Sequence, residues 1–167
     1  MQITTKDIST NLNNLPISRY INDKDFLIFD IETTGFSRDY AIIYMIGFIC
    51  KKGSNYTYYN LFADCKDDES QLIEYFINII DKFNHIISFN GNNFDIPFLK
   101  SRAKKHNISF NLENINSIDI YELLRPFRTS LVFKDLKLDT IQEFLGYKRK
   151  DTHTGGSLIK VYKDYID

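Results

Sequence analysis

Apolar residues along this chain come in two rhythms, and the switches between them predict the order of elements. Residues 26–36 open with an unbroken apolar lead, Phe-Leu-Ile-Phe, continue through Asp30, Ile31 and Glu32, and stop at Thr33-Thr34-Gly35. A run that is hydrophobic on both faces predicts a strand central in a covered sheet. Residues 42–50 are again apolar throughout, and Lys51-Lys52-Gly53-Ser54 has turn chemistry. Residues 56–62 return with Tyr and Thr, a composition suited to a sheet edge. These three segments make an antiparallel meander. The rhythm then changes: Leu72, Phe76, Ile79, Ile80 and Phe83 recur at helical spacing behind an Asp68/Gln71 capping-box pair, and the helix ends near Asn84. Residues 85–89 read as a short buried strand. A helix between two strands implies a crossover, so this strand runs parallel to the first.

The second half repeats the alternation on a smaller scale. Residues 90–99 turn through Asn90, Gly91 and two further asparagines, and Pro97 suits the opening of a helix that continues toward His106. A polar connection leads to a fifth short strand at 118–121, then a helical 122–125 stopped by Pro126. Leu138, Ile141 and Leu145 line one face of a helix over 136–145 that Gly146 ends. Residues 152–156 form a loop and 158–166 a last amphipathic helix. Residues 1–24 are polar and broken by Asn11, Asn13, Asn14 and Pro16, which predicts a leader packed loosely on the domain, with a helical turn at 17–21. The expected fold is α/β: a mixed five-stranded sheet, an antiparallel meander followed by parallel strands, flanked by helices, in one domain spanning 25–167.

Composition narrows the setting. At 167 residues with 43% hydrophobic and 15% aromatic content, the chain can fill a single core. Two cysteines without metal-ligand spacing suit a reduced, cytoplasmic environment rather than a disulfide framework. No apolar run approaches the ~18 residues of a membrane span, and the first residues lack the order of a secretory signal. A net charge of -1 gives no global pull toward phosphate backbones, so any nucleic-acid contact must be local. The cluster Lys100, Arg102, Lys104 and Lys105 reads equally as such a contact or as a solvated helix face, and Lys148-Arg149-Lys150 makes a second basic patch.

The candidate chemistry lies in the acids. Side chains alternate across a strand, so Asp30 and Glu32 share one face while Leu27, Phe29 and Ile31 take the other. Either these acids are simply solvated at a strand end, or they meet in a partly shielded site where their repulsion calls for a cation. A hard divalent ion with oxygen ligands would remove the conflict. Asp95, in or just before the first turn of the next helix, lands beside the end of the first strand; it reads as a further ligand, as a helix cap, or as both. Asp119 either supports a metal site from the neighbouring strand or caps the following helix, and the structural role is preferred. His153 is a weak candidate general base, since a lone loop histidine is more often only exposed.

Taken together, Asp30-Ile31-Glu32-Thr33-Thr34-Gly35 and the 90–99 segment Asn-Gly-Asn-Asn-Phe-Asp-Ile-Pro-Phe-Leu resemble the first two motifs of the DEDD 3'-5' exonucleases of the RNase H-like superfamily. The second motif is similar to the form used by family B DNA polymerases. The group most similar overall is the YprB-like RNase H domain, with counterparts to 43–47, 118–125, 136–146 and 155–165. The resemblance implies metal-dependent hydrolysis of phosphodiester bonds from the single-stranded 3' end of DNA or RNA, with two Mg2+ or Mn2+ ions held by Asp30, Glu32 and Asp95. It further implies that Thr33, Thr34 and Gly35 border the terminal nucleotide, that Phe36 and Phe94 offer stacking surface to a base, and that Asn90 braces the second motif. The family's fourth carboxylate, led by His or Tyr, belongs to a third motif expected beyond the segment ending at Asp167. A further C-terminal segment or a partner chain is therefore expected to complete the site. The competing reading is a catalytically degenerate RNase H-like module that binds nucleic acid without cutting it.

Overall fold

The computed structural model describes residues 1–8, 25–53, 55–147 and 155–167. Six strands, β1 (Gln2–Asp7), β2 (Phe26–Thr33), β3 (Ile43–Lys52), β4 (Asn55–Phe62), β5 (His85–Ser88) and β6 (Asn116–Asp119), form one sheet in the order β1-β4-β3-β2-β5-β6. From β1 to β2 the neighbours are antiparallel, and β5 and β6 continue parallel to β2. The mixed α/β sheet, with its meander and its parallel extension, is the arrangement expected from the apolar rhythm.

The sheet has six strands rather than five, because the start of the polar leader supplies the extra one. All six side chains of β1 are exposed, so the strand shows no apolar alternation and is held by its backbone ladder to β4. As a result β4 is not the edge: it lies between β1 and β3. The helical turn expected at 17–21 lies outside the described residues. Farther along, β6 ends at Asp119, and Ile120 and Tyr121 belong to helix α3 (Ile120–Leu124) rather than to the strand. Pro126 sits inside a 3-10 turn, Arg125–Phe127, that prolongs α3.

Helices α1 (Glu69–Ile80) and α2 (Asp95–Lys105) supply the cover for one sheet face. The Asp68/Gln71 box does not close; Asp68 instead accepts the amide of Asp64 at 2.9 Å. Leu72, Ile73, Phe76, Ile77 and Ile80 of α1 and Phe98 and Leu99 of α2 join Leu27, Phe29 and Ile31 in the main core. Each such side chain, fully buried, contributes about 1.5–3 kcal/mol. On the opposite face Phe26 and Tyr56 are buried with Ile28, Ile49, Ile87 and Ile118 around them. Strand β2 is thus apolar on both sides until Asp30. Helix α4 (Leu138–Phe144) and helix α5 (Gly155–Ile166) complete the described chain, and α5 begins inside the segment expected as a loop. Tyr162 of α5 stacks on Tyr44 with ring centroids 4.2 Å apart, which docks the helix on the meander. Among the described residues no helix is long and apolar enough to cross a membrane.

Candidate active site

Asp30 and Glu32 lie where β2 leaves its second apolar cluster. Asp30 is opposite Gly47 and Glu32 opposite Met45, after which the register skips Tyr44 and Thr33 pairs with Ile43. This bulge was not legible in the apolar run, and it turns the strand end beside the acids, where such irregularities commonly re-aim side chains. Tyr44, the residue left over, is pushed up to about 12 by burial and then by the Glu32 carboxylate, which puts that acid within electrostatic reach of the ring.

Asp95 arrives from the other side of the sheet. The chain leaves β5, and Asn90 takes a left-handed conformation with φ of 63°, which Asn adopts more readily than most residues. Gly91 follows because a β-carbon there would sit 2.6 Å from Ser88 Cβ and 3.5 Å from Asp95 Oδ2. The turn is pinned by Asp119, which is 3% exposed and accepts the amides of Asn90 (2.7 Å), Asn92 (3.0 Å) and Tyr121 (3.0 Å). These three bonds give Asp119 the structural role: it caps α3 and anchors the turn before Asp95. Asn92 extends the brace, donating to Glu122 at 2.9 Å and accepting from Ser117 at 2.7 Å.

So delivered, Asp95 is 4% exposed and its Oδ1 accepts the amide of Ile31, the residue between Asp30 and Glu32, at 3.0 Å. Burial, then the charge of Asp30, push its pKa up to about 7 against the opposing pull of the Ile31 amide. Asp30 is raised as well, by burial. It is nonetheless among the exposed residues of β2, and a carboxyl on the wall of a concavity, reached by water from one side only, accounts for both facts. Among the described residues neither Asp30 nor Asp95 has a salt-bridge partner. Two oxygen-donor groups that burial makes costly to charge, Asp95 the more so for the charge of Asp30, have the chemistry of a seat for a hard divalent ion. No group of three acidic, histidine or cysteine side chains among the described residues is gathered as a ligand cluster. Glu32 stands two residues along the same strand.

The remaining expected residues take varied places. Thr33 is buried, with its hydroxyl donating to the Gly35 carbonyl at 2.8 Å, and Thr34 Oγ1 accepts the amide of Ile42 at 3.0 Å, so both hydroxyls shape the loop after β2. Phe36 is 85% exposed, edge-on to Phe94 at 6.2 Å. Asn90 Oδ1 accepts from Asn93 at 3.0 Å. His153 and the 148–150 basic patch lie outside the described residues.

Arg102 does not belong to a solvated cationic face. It is 2% exposed and donates to Glu69 through Nε at 2.8 Å, while a second nitrogen meets the Arg38 carbonyl at 3.3 Å. Glu69, 1% exposed, also accepts the Ile43 amide and pairs with His106 Nε2, each at 2.8 Å. This network ties α1 and α2 to the loop that carries Phe36, and Arg38 in turn donates to the Asn93 carbonyl at 3.2 Å. A signal was present: Arg102 shares a helical face with Phe98, Leu99 and Ala103, and a cation on a buried face requires a buried anion.

Residues 27–167 match the family model of the RNase H superfamily. A DNA polymerase of Methanocaldococcus jannaschii is 31% identical over 110 residues, covering 60% of this chain and 7% of that protein. The family B DNA polymerase of Pyrobaculum calidifontis superposes with a TM-score of 0.69 at 20% identity, covering 85% of this chain and 21% of that one. E. coli ExoI, in a zinc-bound complex with single-stranded DNA, superposes with a TM-score of 0.56 at 12% identity, covering 86% and 40%. The chain therefore spans less than half of each of these proteins, and the two superpositions bear on the fold.

Proposed function

We propose that this chain, which belongs to the RNase H superfamily, is a 3'-5' exonuclease domain of the DEDD kind, nearest the YprB-like group, that shortens single-stranded ends of DNA or RNA in the cytoplasm. The observation that carries the reading is the Asp95 carboxylate held on the Ile31 amide between Asp30 and Glu32, with its pKa pushed up to about 7. Similarity to a DNA polymerase and the fold of a single-strand-bound ExoI are in keeping with it.

In this reading Asp30, Glu32 and Asp95 hold two divalent ions, Mg2+ or Mn2+. Bound there, such ions supply Lewis-acid charge that stabilises the transferring phosphate and favours ionisation of the attacking water. The chain's own part is orientation. Asp119 and Asn92 fix the turn that sets Asp95, Asn90 braces that turn, and Gly35 with the main chain of Thr33 and Thr34 borders the terminal nucleotide. Phe36, exposed and edge-on to Phe94, gives the last base an aromatic face. A fourth carboxylate from a further segment or a partner chain completes the set. The domain is residues 25–167 together with β1 of the leader, which pairs with β4 in the same sheet.

The test is digestion of 5'-labelled single strands with Mn2+. Stepwise loss from the 3' end is expected once the fourth carboxylate is supplied, with a decrease of at least about 10³-fold on Asp30→Ala, since metal-centred charge stabilisation is worth several kcal/mol. Shortening that survives both chelation and Asp30→Ala would remove the metal-site reading. Oligonucleotide binding without any shortening, indifferent to both treatments, would assign the binding-module alternative.

A further inference from the structure

A cavity of about 560 Å³ opens beside Asp30. Its size falls within the roughly 300–1,000 Å³ of sites that enclose a ligand of small-molecule size. Four parts of the chain build it: Asp30 on β2, Phe89 and Asn90 after β5, Tyr121 on α3, and the stretch bearing Arg128 and Lys137 before α4. Phe89 and Tyr121 pack edge to face at 6.0 Å and give the cavity aromatic surface. Arg128 and Lys137 are exposed, and among the described residues neither has a salt-bridge partner. One Arg128 nitrogen donates to the Lys134 carbonyl at 3.1 Å, which holds the guanidinium at the turn. The nearby acid on this wall, Asp135, is held by the Thr140 hydroxyl at 2.6 Å and the Lys137 amide at 3.1 Å, and it feels the Lys137 charge without forming an ion pair with it.

An overall charge of -1 leaves attraction for a phosphate backbone to local cations. Arg102 is spent on Glu69, and Lys105 donates to the Asp39 carbonyl at 3.0 Å. The combination of two accessible cations, an aromatic wall and an opening onto Asp30 occurs at this cavity. We propose that the cavity seats a nucleotide of the single-stranded nucleic acid upstream of the bond to be cut, with Arg128 and Lys137 on its phosphates and its base against Tyr121. The direction of the strand rests on the nuclease reading of Asp30 and Asp95; the binding itself does not.

The experiment measures fluorescence anisotropy of labelled oligodeoxyuridylate and oligouridylate with the full chain in EDTA, over a salt series. Arg128→Ala with Lys137→Ala is expected to weaken binding about tenfold or more and to flatten the log K against log salt slope by about 1.4, two phosphate contacts at ~0.7 each. Tyr121→Leu is expected to weaken it about tenfold with the slope unchanged, as loss of stacking does. Arg128→Lys with Lys137→Arg keeps the charge and should restore the slope, which separates lost contacts from a misfolded loop. Lys100→Ala with Lys104→Ala serves as the control and should bind like wild type. Equal effects on both oligonucleotides point to phosphate and base alone, and an effect on one identifies the sugar that the cavity favours. Wild-type affinity and slope in the double alanine variant, or no binding by the wild type, would overturn the proposal. Asp30→Ala is run alongside: it should bind in EDTA and, in the separate Mn2+ digestion, fail to shorten the strand, so failure of the cavity and failure of the nuclease reading give different patterns.

Discussion

Glu69 and Asp95 are both almost fully buried, at 1% and 4% exposure, yet their pKa values move in opposite directions. Burial pushes both upward. At Glu69 the hydrogen bonds from Arg102, His106 and the Ile43 amide outweigh it and hold the carboxyl below its usual range. At Asp95 the backbone amides of Ile31 and of Asp95 itself oppose burial and the charge of Asp30, and lose. The same residue chemistry therefore makes an anchor in one place and a carboxyl that resists ionisation in the other. A carboxylate already neutralised by its own protein contributes to the fold, while one left in conflict is available for a ligand.

Breaking the anchor should give the largest effect. Glu69→Ala leaves the Arg102 guanidinium buried without its anion, which costs about 3–5 kcal/mol. At ~2–4 °C per kcal/mol for a chain of this size, a loss of roughly 10 °C in melting temperature is expected by calorimetry. A change within one or two degrees would mean that water reaches Arg102 and that the network is ornamental.

The pH dependence of Asp95 comes next. Its pKa is raised from 3.8 to about 7, so between those values the folded state keeps a proton that the unfolded state has released. Stability through this group is therefore lost as pH rises, by about 2 kcal/mol from pH 5 to pH 7 in chelator. Urea midpoints should show that slope in the difference between wild type and Asp95→Asn, and Mn2+ at pH 7 should recover the loss in the wild type alone. Glu69 has the reverse sign. Its pKa is lowered, so its contribution is present above the ordinary carboxylate range and disappears on acidification, a trend that Glu69→Gln should lack. Parallel pH curves for wild type and Asp95→Asn would remove the contrast between the two acids.

A smaller effect sharpens the same comparison. His106 donates one of several bonds to Glu69 and is partly open to solvent, so His106→Ala should cost about 1 kcal/mol in urea unfolding, well short of Glu69→Ala. Equal losses would assign the anchor to His106 rather than to Arg102.

Much of the sheet was legible in the sequence, because a strand covered on both faces cannot hide its apolar run. Residues 26–33, 43–52 and the short 85–88 follow from such runs, and the parallel placement of β5 follows from the helix between. β1 was not legible, since an exposed strand is held by backbone bonds that carry no side-chain pattern. The boundary at Asp119 was missed by two residues, because Ile120 and Tyr121 favour a strand by type while the Asp119 cap starts a helix. At the site, the crossover brought Asp95 within electrostatic reach of Asp30 and onto the Ile31 amide, while among the described residues the three acids are not gathered as one ligand cluster. Arg102 was misread, as charge alone does not say which way a helix face points.

What the chain determined by itself was the order of elements and the identity of the acids, since periodicity and residue type are properties of adjacent positions. The state of those acids was set by folding. The Asp95 bond to Ile31 and the Glu69 bond to Arg102 span 64 and 33 positions, and a carboxyl's pKa depends on the dielectric and the charges around it rather than on its neighbours in sequence.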